Sequence, residues 1–246
     1  VVPQHFGFKV AILKDDETPC WSPWRIGQYV NHWRERAEAL LSAQEIQLVV
    51  FDIFDTLLVR PLLDPESIKA LVAHRRGGKH GEAYLALRAE AETQARGKAG
   101  RDIGMAEIFE ELASLGNFSL AEAEQLRNLE EELEFSALSP RSESIGMLQF
   151  ALSVGKRVVL ASDMYLSKET VEVMLAEHGV RGWQDLYVSS DIGLRKDSGD
   201  LYKHIAAREG VTFEQIVVVG DNEHSDLQVP GNLGAKFCHV MRPVEL

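Results

Sequence analysis

Four short apolar runs, each followed directly by polar residues, constrain the fold of this chain more than any other feature. The runs are LVVF at 48–51, RVVLA at 157–161, DLYV at 185–188 and IVVV at 216–219, with a weaker fifth at 235–240. Continuous apolar runs of this length, bounded by polar or turn residues, are typical of buried strands. The sequence therefore predicts a buried sheet of about five strands.

Helix-like segments separate the later strands, at 142–154, 167–178 and 198–208. Ser142, Ser167 and Ser198 are the predicted N-caps of these helices, and Glu169 suits the positive end of the second helix dipole. Strands and helices that alternate in this way indicate an α/β fold, in which a parallel sheet carries helices on both faces.

The segment between the first and second strands breaks this alternation. It is almost entirely helix-forming, with candidate helices near 65–75, 82–97, 104–115 and 119–134. A connection of this length is too long for a crossover, so we predict a helical subdomain inserted after the first strand. Residues 1–46 form a separate N-terminal helical extension, in which FKVAIL could be a short strand and residues 24–41 one amphipathic helix.

Composition and charge exclude several classes of partner. The 246 residues are 45% hydrophobic and carry a formal net charge of -12, which argues against nucleic acid and acidic membrane surfaces as partners. No run of 18 apolar residues is present, and the first residues do not resemble a signal peptide. We therefore expect a cytoplasmic protein without membrane insertion, in which Cys20 and Cys238 are reduced structural thiols.

Polar residues with catalytic potential follow the predicted strands at the point where each strand ends. In an open α/β sheet, ligands bind outside the carboxyl ends of the strands, so residues far apart in sequence can meet there. The four groups are Asp52 with Asp55 and Thr56, Ser162 with Asp163, Lys196, and Asp221 with Asp226.

These residue types suit phosphoryl transfer. A carboxylate nucleophile needs help to approach a phosphate dianion, and Mg²⁺ held by carboxylate oxygens at about 2.0–2.1 Å positions the phosphate and offsets the repulsion. Asp52, Asp221 and Asp226 supply such oxygens. A hydroxyl, from Ser162 or Thr56, and the Lys196 cation can hold the phosphate oxygens on which transition-state charge is spread.

The four groups also resemble, in order and context, the four motifs of the haloacid dehalogenase (HAD) superfamily. FDIFDTLL resembles the nucleophile motif, VVLASDMYLS the hydroxyl motif, SSDIGLRK the lysine motif and VVVGDNEHSD the metal motif. The resemblance implies a Rossmann-like three-layer parallel sheet core, built from residues 47–61 and 141–246. It also implies that residues 62–140 form an inserted helical C1 cap.

The same resemblance implies a role for each matched residue. Asp52 would be the nucleophile that forms an aspartyl-phosphate, and Lys196 would contact both the nucleophile and the phosphate. Thr56, Ser162 and Asp163 would bind the phosphoryl group.

The metal site follows in the same way from the resemblance. Asp52, the backbone carbonyl of Phe54 and Asp221 would ligate Mg²⁺, and Asp226 would do so directly or by supporting another ligand. More narrowly, FDIFDTLL, SDMYLS and GDNEHSD resemble HAD proteins associated with bacterial glycosyltransferases of surface-polysaccharide synthesis. That likeness implies a glycosyltransferase domain or neighbour as partner. We expect a small phosphorylated metabolite, such as a sugar or polyol phosphate, as substrate of the phosphatase, because a cap of this size can close over one and exclude water.

One position departs from the pattern of HAD phosphatases. The residue two after the nucleophile is usually a second aspartate that protonates the leaving group, and here it is Phe54. Loss of a general acid costs about 10²–10⁴ in rate. Three interpretations follow: the leaving group is already good, Asp55 or a cap residue replaces the acid, or the domain only binds. For Asp55 a structural role in the turn is the competing interpretation.

Two other functions compete with the phosphatase. The first is a dehalogenase, which attacks carbon and needs no metal, and dehalogenases also carry an aromatic residue at the Phe54 position. Without a metal, however, the charges of Asp221 and Asp226 would be unfavourable beside the nucleophile. A noncatalytic binding or scaffold domain of a larger glycosyltransferase-type protein is the alternative from another class. Whether phosphate passes to water or to another acceptor is open.

Overall fold

The computed structural model describes residues 34–62, 64–116 and 118–241. Its strands are β1 (Leu48–Phe51), β2 (Leu58–Val59), β3 (Ser139–Pro140), β4 (Arg157–Ser162), β5 (Asp185–Val188), β6 (Ile216–Gly220) and β7 (Lys236–His239). Its α-helices are α1 (34–42), α2 (Ser67–Arg76), α3 (Gly78–Ala99), α4 (Met105–Gly116), α5 (Leu120–Ser136), α6 (Ser142–Ser153), α7 (Lys168–Glu177), α8 (Ser189–Ile192), α9 (Asp200–Glu209) and α10 (Val229–Leu233). A 3₁₀ turn (Phe213–Gln215) precedes β6, and a π-helix (Glu223–Gln228) follows it.

Five strands form one parallel sheet in the order β5-β4-β1-β6-β7. These are the five strands that the apolar runs predict, and each lies within two residues of its predicted bounds. The register aligns Phe51, the last residue of β1, with Leu160 in β4 and Val219 in β6. The polar residues that follow these strands therefore emerge at the same edge of the sheet.

Helices cover both faces of the sheet, which makes the core three-layered. Val49 and Phe51 belong to a buried cluster that includes apolar residues of α1, α6 and α7, whereas Leu48 and Val50 pack in a second cluster with α9. Full burial of one such side chain stabilises the fold by about 1.5–3 kcal/mol. The predicted α/β, Rossmann-like core is confirmed.

A four-helix insertion, α2 to α5, lies between β2 and β3. These two short strands pair antiparallel, Leu58 with Pro140 and Val59 with Ser139, so the chain leaves and re-enters the core through one ribbon. All four helices predicted for this segment are present. The longest, α3, exceeds its predicted bounds by four residues at its start and two at its end.

The predicted helix caps are confirmed in one case and wrong in two. The Ser167 hydroxyl accepts a hydrogen bond from the Thr170 amide and caps α7. Ser142 is instead the first residue of α6. Its neighbour Arg141 is held at the end of the β2–β3 ribbon, because the Arg141 amide donates a hydrogen bond to the Leu57 carbonyl. The cap of α9 is Gly199, at φ 81°, rather than Ser198.

The N-terminal extension is described only over α1, so the predicted strand FKVAIL and Cys20 lie outside the described residues. Helix α1 agrees with the end of the predicted amphipathic helix. Cys238 is a free thiol in β7, and burial raises the pKa of this thiol to about 12. Within the described ranges, every helix is too short or too polar to serve as a membrane span.

Candidate active site

Asp52 follows the central strand of the sheet, where β4 lies on one side and β6 on the other. The chain crosses from β1 to β4 and later returns to place β6 on the opposite side, and a crevice that binds ligands is expected at such a switch point. The Asp52 amide donates to the Val219 carbonyl at 2.8 Å, which extends the ladder by one residue. Its side chain is thereby held at the centre of the carboxyl edge.

Lys196 connects two of the candidate carboxylates. Its Nζ donates to Oδ1 of Asp52 at 2.6 Å and to Oδ1 of Asp226 at 2.7 Å, and all three residues are buried. The backbone of Lys196 is held in turn by Asp163, whose Oδ1 accepts the Lys196 amide at 2.8 Å. Asp163 therefore positions the lysine segment, and its phosphate contact remains a prediction.

Asp221 and Asp226 approach Asp52 from the end of β6. Carboxylate oxygens of the three aspartates lie within 4.8 Å of one another. The π-helix turns Asp226 back over the strand, where Oδ2 accepts the Asn222 amide at 3.1 Å. A side chain at Gly220 would overlap the Asp226 carboxylate, so the approach requires glycine there.

The charges of this cluster shift the pKa values of its members. Burial raises the pKa of Asp52 to about 6, and the neighbouring Asp226 adds to the rise while Lys196 opposes it. Burial, followed by the charges of Asp52 and Asp226, holds the pKa of Asp221 well above its usual range. For Lys196, burial alone would lower the pKa, but the charges of Asp226 and Asp52 outweigh it and hold the pKa above the usual value.

The cluster fits a divalent cation. Three carboxylates and one ammonium group meet in this buried site, an arrangement that further positive charge would stabilise. Hard carboxylate oxygens are the ligands that Mg²⁺ selects. Asp52, Asp221 and Asp226 could therefore hold magnesium, and the Phe54 carbonyl remains a predicted fourth ligand.

The two candidate hydroxyls are placed differently. Ser162 ends β4, is buried and lines the cavity beside Asp52. Thr56 is also buried, but its hydroxyl donates to Oδ1 of Asp221 at 3.1 Å and it does not border the cavity. Ser162 can reach a ligand in this arrangement, whereas Thr56 orders the acidic cluster, and their phosphate contacts remain predictions.

A cavity of about 360 Å³ lies between the carboxyl edge of the sheet and the helical insertion. The core contributes Asp52, Ser162, Asp163, Lys196, Asp221 and Asp226 to its walls. The insertion and its flanking segments contribute Arg60, Lys69, Glu92, Arg96, Asp102 and Glu134. The predicted site residues other than Thr56 thus border one cavity, which has the volume of a small-molecule site.

Phe54 and Asp55 line the cavity just beyond the end of β1. Asp55 adopts the left-handed conformation at φ 62°, and its amide donates to the Leu58 carbonyl at 2.6 Å, which supports the predicted turn role. Its carboxylate pairs with Arg60 at 2.7 Å. The Arg60 guanidinium lies 5.3 Å from the centre of the Phe54 ring.

Several residues at the site do not belong to any of the four motifs. Tyr202, a core position of α9, donates its hydroxyl to Asp226 at 3.1 Å. Glu134 from α5 and Arg60 also reach the cavity, where they lie with Tyr165 of the hydroxyl motif. The sequence carries one signal for α5, because Glu130 and Glu134 continue the apolar spacing that Ala123 and Leu126 begin.

The family of the chain is shown by its sequence. Residues 46–234 match the haloacid dehalogenase-like hydrolase family, and because this is more than half of the 246 residues, the chain belongs to that family. No curated protein matches the sequence.

Similar solved structures include enzymes of two kinds. A dehalogenase with an intermediate complex is 19% identical, with 82% of this chain and 87% of that chain covered and a TM-score of 0.56. An L-2-haloacid dehalogenase from Xanthobacter autotrophicus is 19% identical, with 79% of this chain and 77% of that chain covered and a TM-score of 0.53. A HAD family enzyme from Bacteroides thetaiotaomicron, in complex with magnesium and inorganic phosphate, is 14% identical, with 80% of this chain and 95% of that chain covered and a TM-score of 0.57. At these identities the likeness shows the fold alone.

Proposed function

We propose that the protein is a Mg²⁺-dependent phosphatase that hydrolyses a small phosphorylated metabolite, such as a sugar or polyol phosphate, through an aspartyl-phosphate on Asp52. The observation that carries the proposal is the acidic cluster itself. Carboxylate oxygens of Asp52, Asp221 and Asp226 converge within 4.8 Å, at the edge of a cavity that also contains Lys196 and Ser162.

The charge of the cluster favours phosphoryl chemistry over dehalogenation. Attack on carbon gains nothing from two further carboxylates beside the nucleophile, because their charges raise the pKa of each neighbour. A divalent cation, when bound, would offset the charge of the cluster and that of an incoming phosphate. The acidic cluster therefore supports a metal-dependent reaction.

The reaction proceeds in two half-reactions on these residues. An oxygen of Asp52 attacks phosphorus while the bond to the leaving oxygen breaks, and the Lys196 ammonium and Ser162 hydroxyl hold phosphate oxygens during the transfer. Water then attacks the phosphorus of the aspartyl-phosphate, releasing phosphate and restoring the Asp52 carboxylate. The insertion borders the same cavity and limits the access of bulk water.

The cellular setting belongs to the same proposal. The motif likeness to HAD domains of surface-polysaccharide synthesis supports a phosphorylated sugar or polyol as substrate and a glycosyltransferase domain or neighbour as partner. Arginine, lysine and carboxylate side chains all line the insertion side of the cavity, so both donors and acceptors are available for hydroxyl groups.

The test measures hydrolysis of an aryl phosphate with Mg²⁺ and with EDTA. We expect the native protein to act only with Mg²⁺, Asp52→Asn to be inactive, and Asp200→Asn, an exposed aspartate of α9, to retain activity. Chloride release from a 2-chloro acid is measured in parallel. Release of chloride without phosphate hydrolysis would identify a dehalogenase, and inertness of the native protein and Asp52→Asn across a panel of phosphate esters would indicate a binding domain.

A further inference from the structure

Glu134 of α5 extends from the helical insertion to the wall of the proposed catalytic cavity. Its side chain is 1% exposed, and its Oε1 accepts the Tyr165 hydroxyl at 2.7 Å. Its Oε2 lies 3.4 Å from Nη1 of Arg60, whose guanidinium stacks over Phe54. The Arg60 guanidinium thus contacts both Glu134 and Phe54, the side chain at the position of the usual general acid.

Among the described residues, Arg60 is the one cation paired with Glu134, and it is shared. Arg60 contacts Asp55 more closely, at 2.7 Å, and Arg88 is engaged in two hydrogen bonds with Glu130, at 2.8 and 2.9 Å. Two other carboxylates on the insertion side of the cavity, Glu92 and Asp102, each have an arginine nitrogen within 2.9 Å. Glu134 is thus held by a more distant, shared guanidinium and by the neutral hydroxyl of Tyr165.

A buried carboxyl in these surroundings retains its proton more readily than an exposed one. Burial raises the pKa of Glu134, the charge of Glu130 adds to the rise, and the Arg60 and Tyr165 contacts only partly oppose it. Tyr165 is a poorer candidate, because burial and the charges of Glu130 and Glu134 hold the pKa of its hydroxyl well above the usual value. Asp55 is committed to the turn and to Arg60.

We infer that Glu134 is the general acid that protonates the leaving group, in place of the aspartate that Phe54 replaces. This inference rests on the proposed phosphatase activity. As Asp52 attacks phosphorus, the bond from phosphorus to the leaving oxygen breaks and the Glu134 proton passes to that oxygen, which releases an alcohol. In the second half-reaction the Glu134 carboxylate takes a proton from the attacking water, and the acid is restored.

The inference widens the substrate class. With no acid, only esters of acidic alcohols or anhydrides would react at a useful rate, because an aliphatic alkoxide is a poor leaving group. With Glu134 as acid, the cavity can cleave phosphate monoesters of aliphatic alcohols, the class that includes sugar and polyol phosphates.

The test compares leaving groups in Glu134→Gln. We expect the first turnover of p-nitrophenyl phosphate, seen as a burst of p-nitrophenol, to keep most of its rate in this variant, because that leaving group needs no proton. The first turnover of glycerol phosphate should slow by about 10²–10⁴. Glu132→Gln is the control, since it removes an exposed carboxyl of α5 that does not border the cavity. It should leave the first turnover of both substrates near the native rate. Glu134→Asp, which retains an acid, should recover part of the glycerol phosphate rate.

The outcomes separate the inference from the proposed function. If the native protein hydrolyses neither ester, the phosphatase proposal fails. If it hydrolyses both, and Glu134→Gln slows their first turnovers equally or leaves the first turnover of glycerol phosphate unchanged, the phosphatase stands and the assignment of Glu134 is overturned.

Discussion

The ammonium nitrogen of Lys196 lies 2.6 Å from Oδ1 of Asp52, and both side chains are almost wholly shielded from solvent. The pair orients the proposed nucleophile and supplies part of the charge that the acidic cluster needs. A buried ion of this kind cannot lose its partner without a large cost.

Removal of the lysine charge should therefore destabilise the protein as well as inactivate it. We expect Lys196→Met to lower the free energy of unfolding by about 3–5 kcal/mol in the absence of metal, because Asp52 and Asp226 lose their shared cation. Chemical denaturation in EDTA measures the change. Lys203→Met, at an exposed lysine of α9, is the control, and equal effects of the two substitutions would contradict the role of Lys196.

Magnesium should bind and stabilise the protein whether or not a substrate is present. At a concentration one hundred times its dissociation constant, a ligand of the folded state adds about 2.7 kcal/mol to the free energy of unfolding. Asp221→Asn should abolish this response and, in EDTA, be more stable than the native protein, because one of three mutually repelling carboxylates is gone. Thermal melts with and without Mg²⁺ test both statements, and an undiminished response of the variant would exclude Asp221 as a ligand.

The close approach at Gly220 gives a test of the metal site that leaves every ligand in the chain. A methyl group in Gly220→Ala would overlap the Asp226 carboxylate and displace it. We expect the loss of the Mg²⁺-dependent rise in melting temperature. Gly146→Ala is the matched control, because its added methyl meets open space on α6 and should stabilise by up to about 1 kcal/mol. A normal magnesium response in Gly220→Ala would show that the carboxylate can move without loss of the site.

The conformation of Asp55 predicts an order of stability among three variants. Its φ of 62° lies in the left-handed region, which costs a residue with a Cβ atom roughly 1–2 kcal/mol relative to glycine. Asp55→Gly and Asp55→Ala both lose the pair with Arg60, so their difference isolates the backbone term, and glycine should be the more stable by about 1 kcal/mol. Asp55→Asn should be more stable than Asp55→Ala, because asparagine tolerates this backbone conformation. Alanine equal to glycine would contradict the strain.

The core and its motifs could be predicted from sequence because their signals are local. The apolar runs that end at Phe51 and Val219 identify buried strands, and parallel strands in register bring the residues that follow them to one edge. Ser167 could be recognised as a cap for the same reason. Ser142 could not, since the ribbon that holds Arg141 depends on the pairing of two segments 80 residues apart.

The residues that the insertion contributes to the site could not be predicted, because their positions depend on tertiary packing and not on a local sequence pattern. Which face of α5 meets the core, and where Arg60 lies relative to Phe54, follow from how the helices dock on the sheet. Glu134 is an acidic residue at an apolar position of its helix, a pattern that predicts burial but not a neighbour. The question that Phe54 raises in the sequence therefore has a candidate answer only in three dimensions.

The antiparallel ribbon formed by Leu58–Val59 and Ser139–Pro140 has a consequence for the evolution of such a protein. Because the insertion leaves and re-enters the core through two adjacent residue pairs, it behaves as a cassette whose exchange does not disturb the order of the parallel strands. The proposed nucleophile and the acidic cluster belong to the core, whereas Glu134, the inferred acid, belongs to the cassette. On these assignments, exchange of the cassette would alter which alcohol can be released, while the residues proposed to handle phosphate stay the same.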